Sequence, residues 1–441
     1  MAPLAGPAVN ELAGVLCDLF QPESELEKLV QVTLNRGLFT DFAGPRQPLR
    51  TVAFQLVTAL EQEGLTAPLL HGALRASNQN PRLVEFCERL APDLLGDQPP
   101  AAQQVASVVG GLNAVRARLA DPGVRAAVVA SRDQLEQIGD RTLRLDLYKR
   151  LHDGLHLIQV SYFRQVLDVI RRFKTDATAA DTLDEYVSGL QTLSVQAAAT
   201  AAAFPADGSG AREEELRWVA DLDREVIGKL RQALRAGDAK LAREAAGRLK
   251  TLLNFESARV NHALTEVARQ LPLNKLIDTV RRVAESAAGA GPDGAPLRAG
   301  LDGLRQLYPR LIGQVAVHTQ WQRVENALWL VGNDPDEGTA DQRADFADVQ
   351  WPTIKVDVQS LTNLDREADW ARALSDRMAE MDAALQGPDP VRLREAFRRF
   401  RRQAMLRFFQ VDLNLRELCG EIAPIGDPVT ALLEEAKNGD R

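Results

Sequence analysis

From Leu12 to Leu90 the apolar residues recur at intervals of three and four, the spacing that lines one face of an α-helix. Leu12, Val15, Leu16, Leu19 and Phe20 make the first stripe, which ends before Pro22. Ser24 with Glu27 reads as a capping box for a second helix carrying Leu26, Leu29, Val30 and Leu34 and closing at Gly37. After a loop from Phe39 to Pro48, the residues Leu49, Val52, Ala53, Leu56, Val57 and Leu60 form a third stripe, with Gly64 as its C-terminal stop. Pro68 suits the first turn of a helix containing Leu69, Leu70, Ala73 and Leu74. Asn80-Pro81 caps another, containing Leu83, Val84, Phe86, Cys87 and Leu90. The pattern predicts a bundle of five or six short helices over residues 1–92, and Ala91 to Pro100, rich in proline, predicts a linker behind it.

Beyond the linker the helices lengthen, with breaks predicted at Asp121-Pro122-Gly123, Phe204 to Gly210, Gly289 to Pro296, Gly332 to Gly338 and Gly387 to Pro390. Sliding Ala233–Glu266 onto Ala384–Glu417 without gaps matches ten of thirty-four positions, among them Asp238/Asp389, Arg243/Arg394 and Leu264/Leu415. The core seams coincide as well. Leu393, Phe397, Phe400, Ala404, Phe408, Val411, Leu415, Leu418 and Ile422 answer to Leu249, Leu253, Val260, Leu264, Val267 and Leu271, and each seam ends near a proline, Pro424 or Pro272. Upstream of the two seams, Leu147-Tyr148 recurs as Leu307-Tyr308. The expectation is an all-α chain in which the small bundle at 1–92 is followed by two related long-helix bundles, at 101–288 and 296–441.

Composition agrees with helix throughout: aromatics are only 5% of the 441 residues, while 45% hydrophobic content is enough to fill real cores. A formal net charge of -8 disfavours a body that wraps nucleic acid or an anionic membrane, so neither nucleic acid nor stable membrane insertion is expected. Cys17, Cys87 and Cys419 stand far apart, each on a helical core stripe, which argues against a disulfide framework or zinc site and fits a reducing cytoplasm. No basic leader and no uninterrupted apolar run of spanning length is found.

The motifs that mount phosphate, dinucleotide, zinc or serine chemistry are missing, so neither enzymatic activity nor a cofactor is expected. His152 and His156 stand at i, i+4, a spacing that could put two imidazoles on one metal, but no third ligand accompanies them and no metal is expected. The most basic helix runs from Arg392 to Arg407 through Arg394, Arg398, Arg399, Arg401 and Arg402, interleaved with Phe397, Phe400, Phe408 and Phe409. The phenylalanines fall mostly on the core seam, which favours a structural or protein-contact role; the alternative is an effector that meets membrane or nucleic acid through this helix. Trp218 and Trp370 precede the two long seam helices and read as packing anchors.

Phe39-Thr40-Asp41-Phe42, Ala53-Phe54-Gln55-Leu56-Val57 leading to Glu63-Gly64-Leu65, and Leu69-Leu70 followed by Ser77-Asn78-Gln79-Asn80-Pro81-Arg82-Leu83 carry a family resemblance. This segment resembles the type-one effector-associated domain, a bacterial member of the death-like helical domains of prokaryotic conflict systems. An Arg-Pro pair common in that family just before the Asn-Pro element is replaced here by Ser77-Asn78. The resemblance implies a non-enzymatic adaptor or regulatory subunit of a bacterial defence or programmed-death system. Its first domain would pair with a protein carrying a similar domain, such as a trypsin-like or caspase-like peptidase. Pairing of rigid bundles needs complementary polar faces, and Asp41, Arg46, Arg50, Glu61, Glu63, Arg75 and Arg82 are the candidates.

Overall fold

Each apolar stripe between Leu12 and Leu90 becomes a helix in the computed structural model. The structure describes residues 4, 6–21, 23–34, 38, 42, 47–63, 66–77, 80–90, 101–158, 166, 169–170, 172, 178–207, 210–286, 294–331, 344–364, 367–387 and 389–438. Among them there are helices and turns and no strand, so the chain is all-α. Its residues separate into two compact units, one of 1–99 with 316–414 and one of 100–315 with 415–441.

In the first unit α1 (Gly6–Leu19), α2 (Glu23–Leu34), α3 (Leu49–Glu63), α4 (Thr66–Ala76) and α5 (Pro81–Leu90) pack around Leu12, Leu16, Leu26, Val30, Val52, Leu56, Leu60, Leu70 and Phe86. The Asn80 cap forms as expected: its Oδ1 accepts the Arg82 N–H at 3.0 Å, satisfying one of the orphan donors of a helix start. The Ser24 capping box does not. Ser24 is already helical, one residue inside α2, and Glu23 and Glu25 in that first turn set acidic charge against the positive end of the helix dipole. A Cβ at Gly72 would collide with the Thr33 side chain, so glycine is what lets α4 cross α2 at this distance.

The same unit holds the distal end of α14 (Gly294–Leu330), then α15 (Trp351–Ser360), α16 (Ala368–Leu385) and most of α17 (Pro390–Ile422). Their core is aromatic, with Phe400 edge-on to Trp351 at 5.1 Å and Phe397 edge-on to Phe346 at 5.5 Å. The seam expected of Phe397, Phe400, Ala404 and Val411 is buried there. Trp370 borders both this core and the core of α1–α5, and Leu406 packs on the latter. A charged hub holds Trp370 in place. Glu367, 1% exposed, accepts from Trp321 Nε1 at 2.8 Å and from Arg407 at 2.6 and 3.0 Å. The Arg407 guanidinium in turn lies 5.2 Å over the Trp370 ring, a cation–π contact.

The second unit contains α6 (Ala101–Arg116), α7 (Pro122–Val129), α8 (Arg132–Leu157), α9 (Thr178–Ala202), α10 (Ala211–Asp221), α11 (Gly228–Ala236), α12 (Ala239–Arg269), α13 (Leu273–Ser286) and α18 (Gly426–Asn438), with the near end of α14 and the far end of α17. Pro122 opens α7 behind an Asp121 cap, the break expected there. Gly111 and Gly300 let α6 and α14 meet backbone to backbone: a Cβ on Gly300 would stand 2.9 Å from Gly111 Cα. A buried charged hub recurs here. Glu215 accepts from Trp218 Nε1 at 2.9 Å and from both terminal nitrogens of Arg259, at 2.8 and 2.6 Å, while Glu256 takes the Arg259 Nε.

The expected division between 288 and 296 lies mostly outside the described residues, between the end of α13 at Ser286 and the start of α14 at Gly294. Contact density divides the chain elsewhere, inside α14 and α17, because each of these helices serves two cores in turn: Leu297 to Val315 line one cluster and Trp321 to Leu328 another.

On α14, the ring of His318 is fully buried with Nε2 3.2 Å from Asp412 Oδ1, and Glu325 lies two turns further along the same helix. Burial first, and then the Asp412 charge, push the Glu325 carboxyl up to about 7, with Arg401 opposing. An unfolded glutamate releases its proton near about 4.3, so between these values the native state binds more protons and stability falls as pH rises.

Two outcomes follow. Arg407→Ala leaves Glu367 as a buried charge without its partner and should cost about 3–5 kcal/mol in chemical denaturation followed by tryptophan fluorescence. Glu325→Gln should melt higher than the parent at pH 8 and equally with it at pH 4; a gain of the same size at both values would contradict the assignment.

Candidate protein-interaction surface

Along α1, Glu11 and Asp18 are two turns apart and share one face, and on α5 Arg82 and Arg89 repeat that spacing. The two helices run antiparallel, so the carboxylates meet the guanidiniums as two rungs: Arg82 to Asp18 at 2.6 Å, and Arg89 to Glu11. All four side chains are between 43% and 62% exposed. Ion pairs so wetted are worth only about 0–1 kcal/mol each, so they tie α1 to α5 loosely.

Between these helices and the first turn of α3 lies an open groove of about 370 Å³. Its floor includes Val15, Cys17 and Phe86, all buried, and its rim includes Asn10, Arg50, Arg82 and Glu85, all exposed. Among the described residues, Arg50 and Glu85 have no hydrogen-bond or ion-pair partner. Burial, reinforced by Asp18 and opposed by Arg50, raises the Cys17 thiol. Burial alone pushes Cys87 up to about 11. Neither sulfur is poised as a nucleophile, since reactivity belongs to the thiolate. The groove offers a mostly polar lining, with both signs of charge on its rim and buried Val15, Cys17 and Phe86 beneath it.

Of the residues singled out from the sequence, Arg50 and Arg82 come together on this rim. Glu61 is engaged inside the bundle instead: it accepts the Leu4 N–H at 2.7 Å and the hydroxyl of Thr66, the first residue of α4. Asp41 and Arg46 lie outside the described residues, as do the side chains of Glu63 and Arg75 on α3 and α4. Glu11, Asp18 and Glu85 were not singled out from the sequence. The signal was present in the opposite charges at i, i+7 on α1 and α5, but only their antiparallel placement makes a surface of it.

The arginine-rich helix is divided between two roles. Arg407 is committed to Glu367, while Arg392, Arg398, Arg399 and Arg402 are exposed along α17, opposite the buried Phe397 and Phe400. His152 is buried on α8, and no group of three or more His, Cys, Asp or Glu among the described residues could hold a metal ion. No described helix is long and apolar enough to cross a membrane.

A family model described as effector-associated domain 1 matches residues 2–91, the segment that contains α1–α5 and the groove. The segment is thus similar to domains associated with effector systems, and protein–protein association is the activity that this likeness implies. No curated protein and no solved structure matches the chain.

Within the matched segment, Glu61→Ala should strip two donors of their acceptor. The expected loss is about 1–3 kcal/mol of stability, read by chemical denaturation, with faster amide exchange at Leu4 and in the first turn of α4.

Proposed function

We propose that the chain is a non-enzymatic adaptor or regulatory subunit of a bacterial defence or programmed-death system, whose N-terminal bundle recruits an effector carrying a similar domain. The match of residues 2–91 to effector-associated domain 1 carries this reading. It is supported by the exposed mixed-sign groove on the same bundle, a feature suited to orienting a rigid partner by charge. An effector of the peptidase class would bring the chemistry, and the long-helix body would bind a second partner or become the peptidase's substrate.

The same reading takes the two long-helix segments as copies of one ancestral bundle. Asp238 and Asp389 both cap the long seam helix, accepting from Lys240 N at 2.9 Å and from Val391 N at 2.9 Å. In both segments a Glu-x-x-Trp sequence, Glu215 to Trp218 and Glu367 to Trp370, supplies the buried carboxylate that an arginine of that seam helix clamps. These are shared devices of detail rather than of composition, which is why they support common origin.

The test is capture with the intact chain as bait against each protein of the same genome that carries an effector-associated domain. At least one should be retained at physiological salt. Its retention should fall when Arg50 and Arg82 are both changed to Glu. Retention of none, or retention indifferent to those charges, would overturn recruitment through this bundle.

A further inference from the structure

The groove is lined by both signs, Glu11, Asp18 and Glu85 against Arg50 and Arg82, and with Arg89, paired to Glu11 beside it, the charges balance. That balance stands out in a chain whose formal net charge is -8, because two copies repel wherever their general surfaces meet. Arg50 at the start of α3 and Glu85 on α5 line this groove from different helices, exposed and without ion-pair partners among the described residues. A two-fold axis between them would set each copy's Arg50 opposite the other's Glu85, which is the self-complementarity an isologous contact requires.

We propose that this α1/α3/α5 groove is a self-association site, and that its occupant is the same face of a second copy of this chain. The inference rests on the reading of residues 2–91 as a protein-association domain and names one partner for it. Arg50 and Glu85 make the new pairs between copies. The Asp18–Arg82 and Glu11–Arg89 pairs, bonded only loosely within one copy, can exchange partners across the contact at little cost. Val15, Cys17 and Phe86 form the dry floor beneath, and the contact shields the Cys17 thiol.

Sedimentation equilibrium of the full chain up to about 100 µM, a range that detects weak pairing, tests the proposal. The parent should associate, and Arg50→Glu or Glu85→Arg alone should weaken association at least about tenfold, since each sets like charges face to face twice. The double variant should regain it. So should an equimolar mixture of the two single variants, in which every contact again joins opposite charges. Misfolded variants could not produce that recovery, so folding failure cannot imitate the expected result. A chain that stays monomeric, single variants that associate like the parent, or a mixture that fails to recover would each overturn the proposal. A monomeric chain that still captures a separate protein with a similar domain would overturn self-pairing alone and leave recruitment standing.

Discussion

Much of the first unit depends on one buried ion pair, Arg407 with Glu367. Its cost is the desolvation of two charges, and the structure meets that cost by satisfying nearly every lone pair on the carboxylate: Arg407 gives two hydrogen bonds and Trp321 a third. What the pair achieves is placement. Arg407 lies over Trp370, and Trp370 is the side chain that borders both the aromatic core of residues 316–414 and the core of α1–α5. The N-terminal bundle is therefore a matched segment with its own core and a border shared at Trp370. A functional face of exposed, weakly paired charges needs such rigid backing, because loose ion pairs cannot themselves fix the angle between helices.

The helices themselves were legible, and the reason is periodicity: Leu12 to Leu16, Val52 to Leu60 and the Phe397 to Ile422 seam place apolar residues on a single stripe, which only a helix buries together. The Asn80 cap and the break at Asp121-Pro122-Gly123 were legible from local residue chemistry. The groove was not. Arg50 and Arg82 could be named as polar residues on outward faces, but their meeting depends on how α3 and α5 cross, which is a tertiary fact. Glu61 shows the converse: an outward-looking carboxylate by pattern, drawn inward by the Leu4 N–H and Thr66, two donors no periodicity reveals. The unit boundaries were hidden because α14 and α17 run unbroken past the place where one core ends and another begins, and a sequence marks loops rather than core edges.

Charge on this chain falls into distinct physical classes. Glu367–Arg407 and Glu215–Arg259 are buried clamps whose loss would leave an isolated ion in a low dielectric. The arginines exposed along α17 form a row opposite the buried Phe397 and Phe400. The α1/α5 ladder is of a third kind, exposed enough to be exchanged and balanced enough to meet its own image. This last class adjoins a groove with buried apolar residues beneath it, and it lies within the segment that matches an effector-associated domain.

The central claim is that the outer face of α1, α3 and α5 is where this chain meets other protein. Hydroxyl-radical footprinting of the intact chain, alone at low concentration and then assembled, measures side-chain burial across the whole surface in one experiment. The account predicts that protection on assembly gathers at the exposed rim of Asn10, Arg50, Arg82 and Glu85. Protection confined to the exposed row Arg392 to Arg402 of α17, with the groove unchanged, would contradict it.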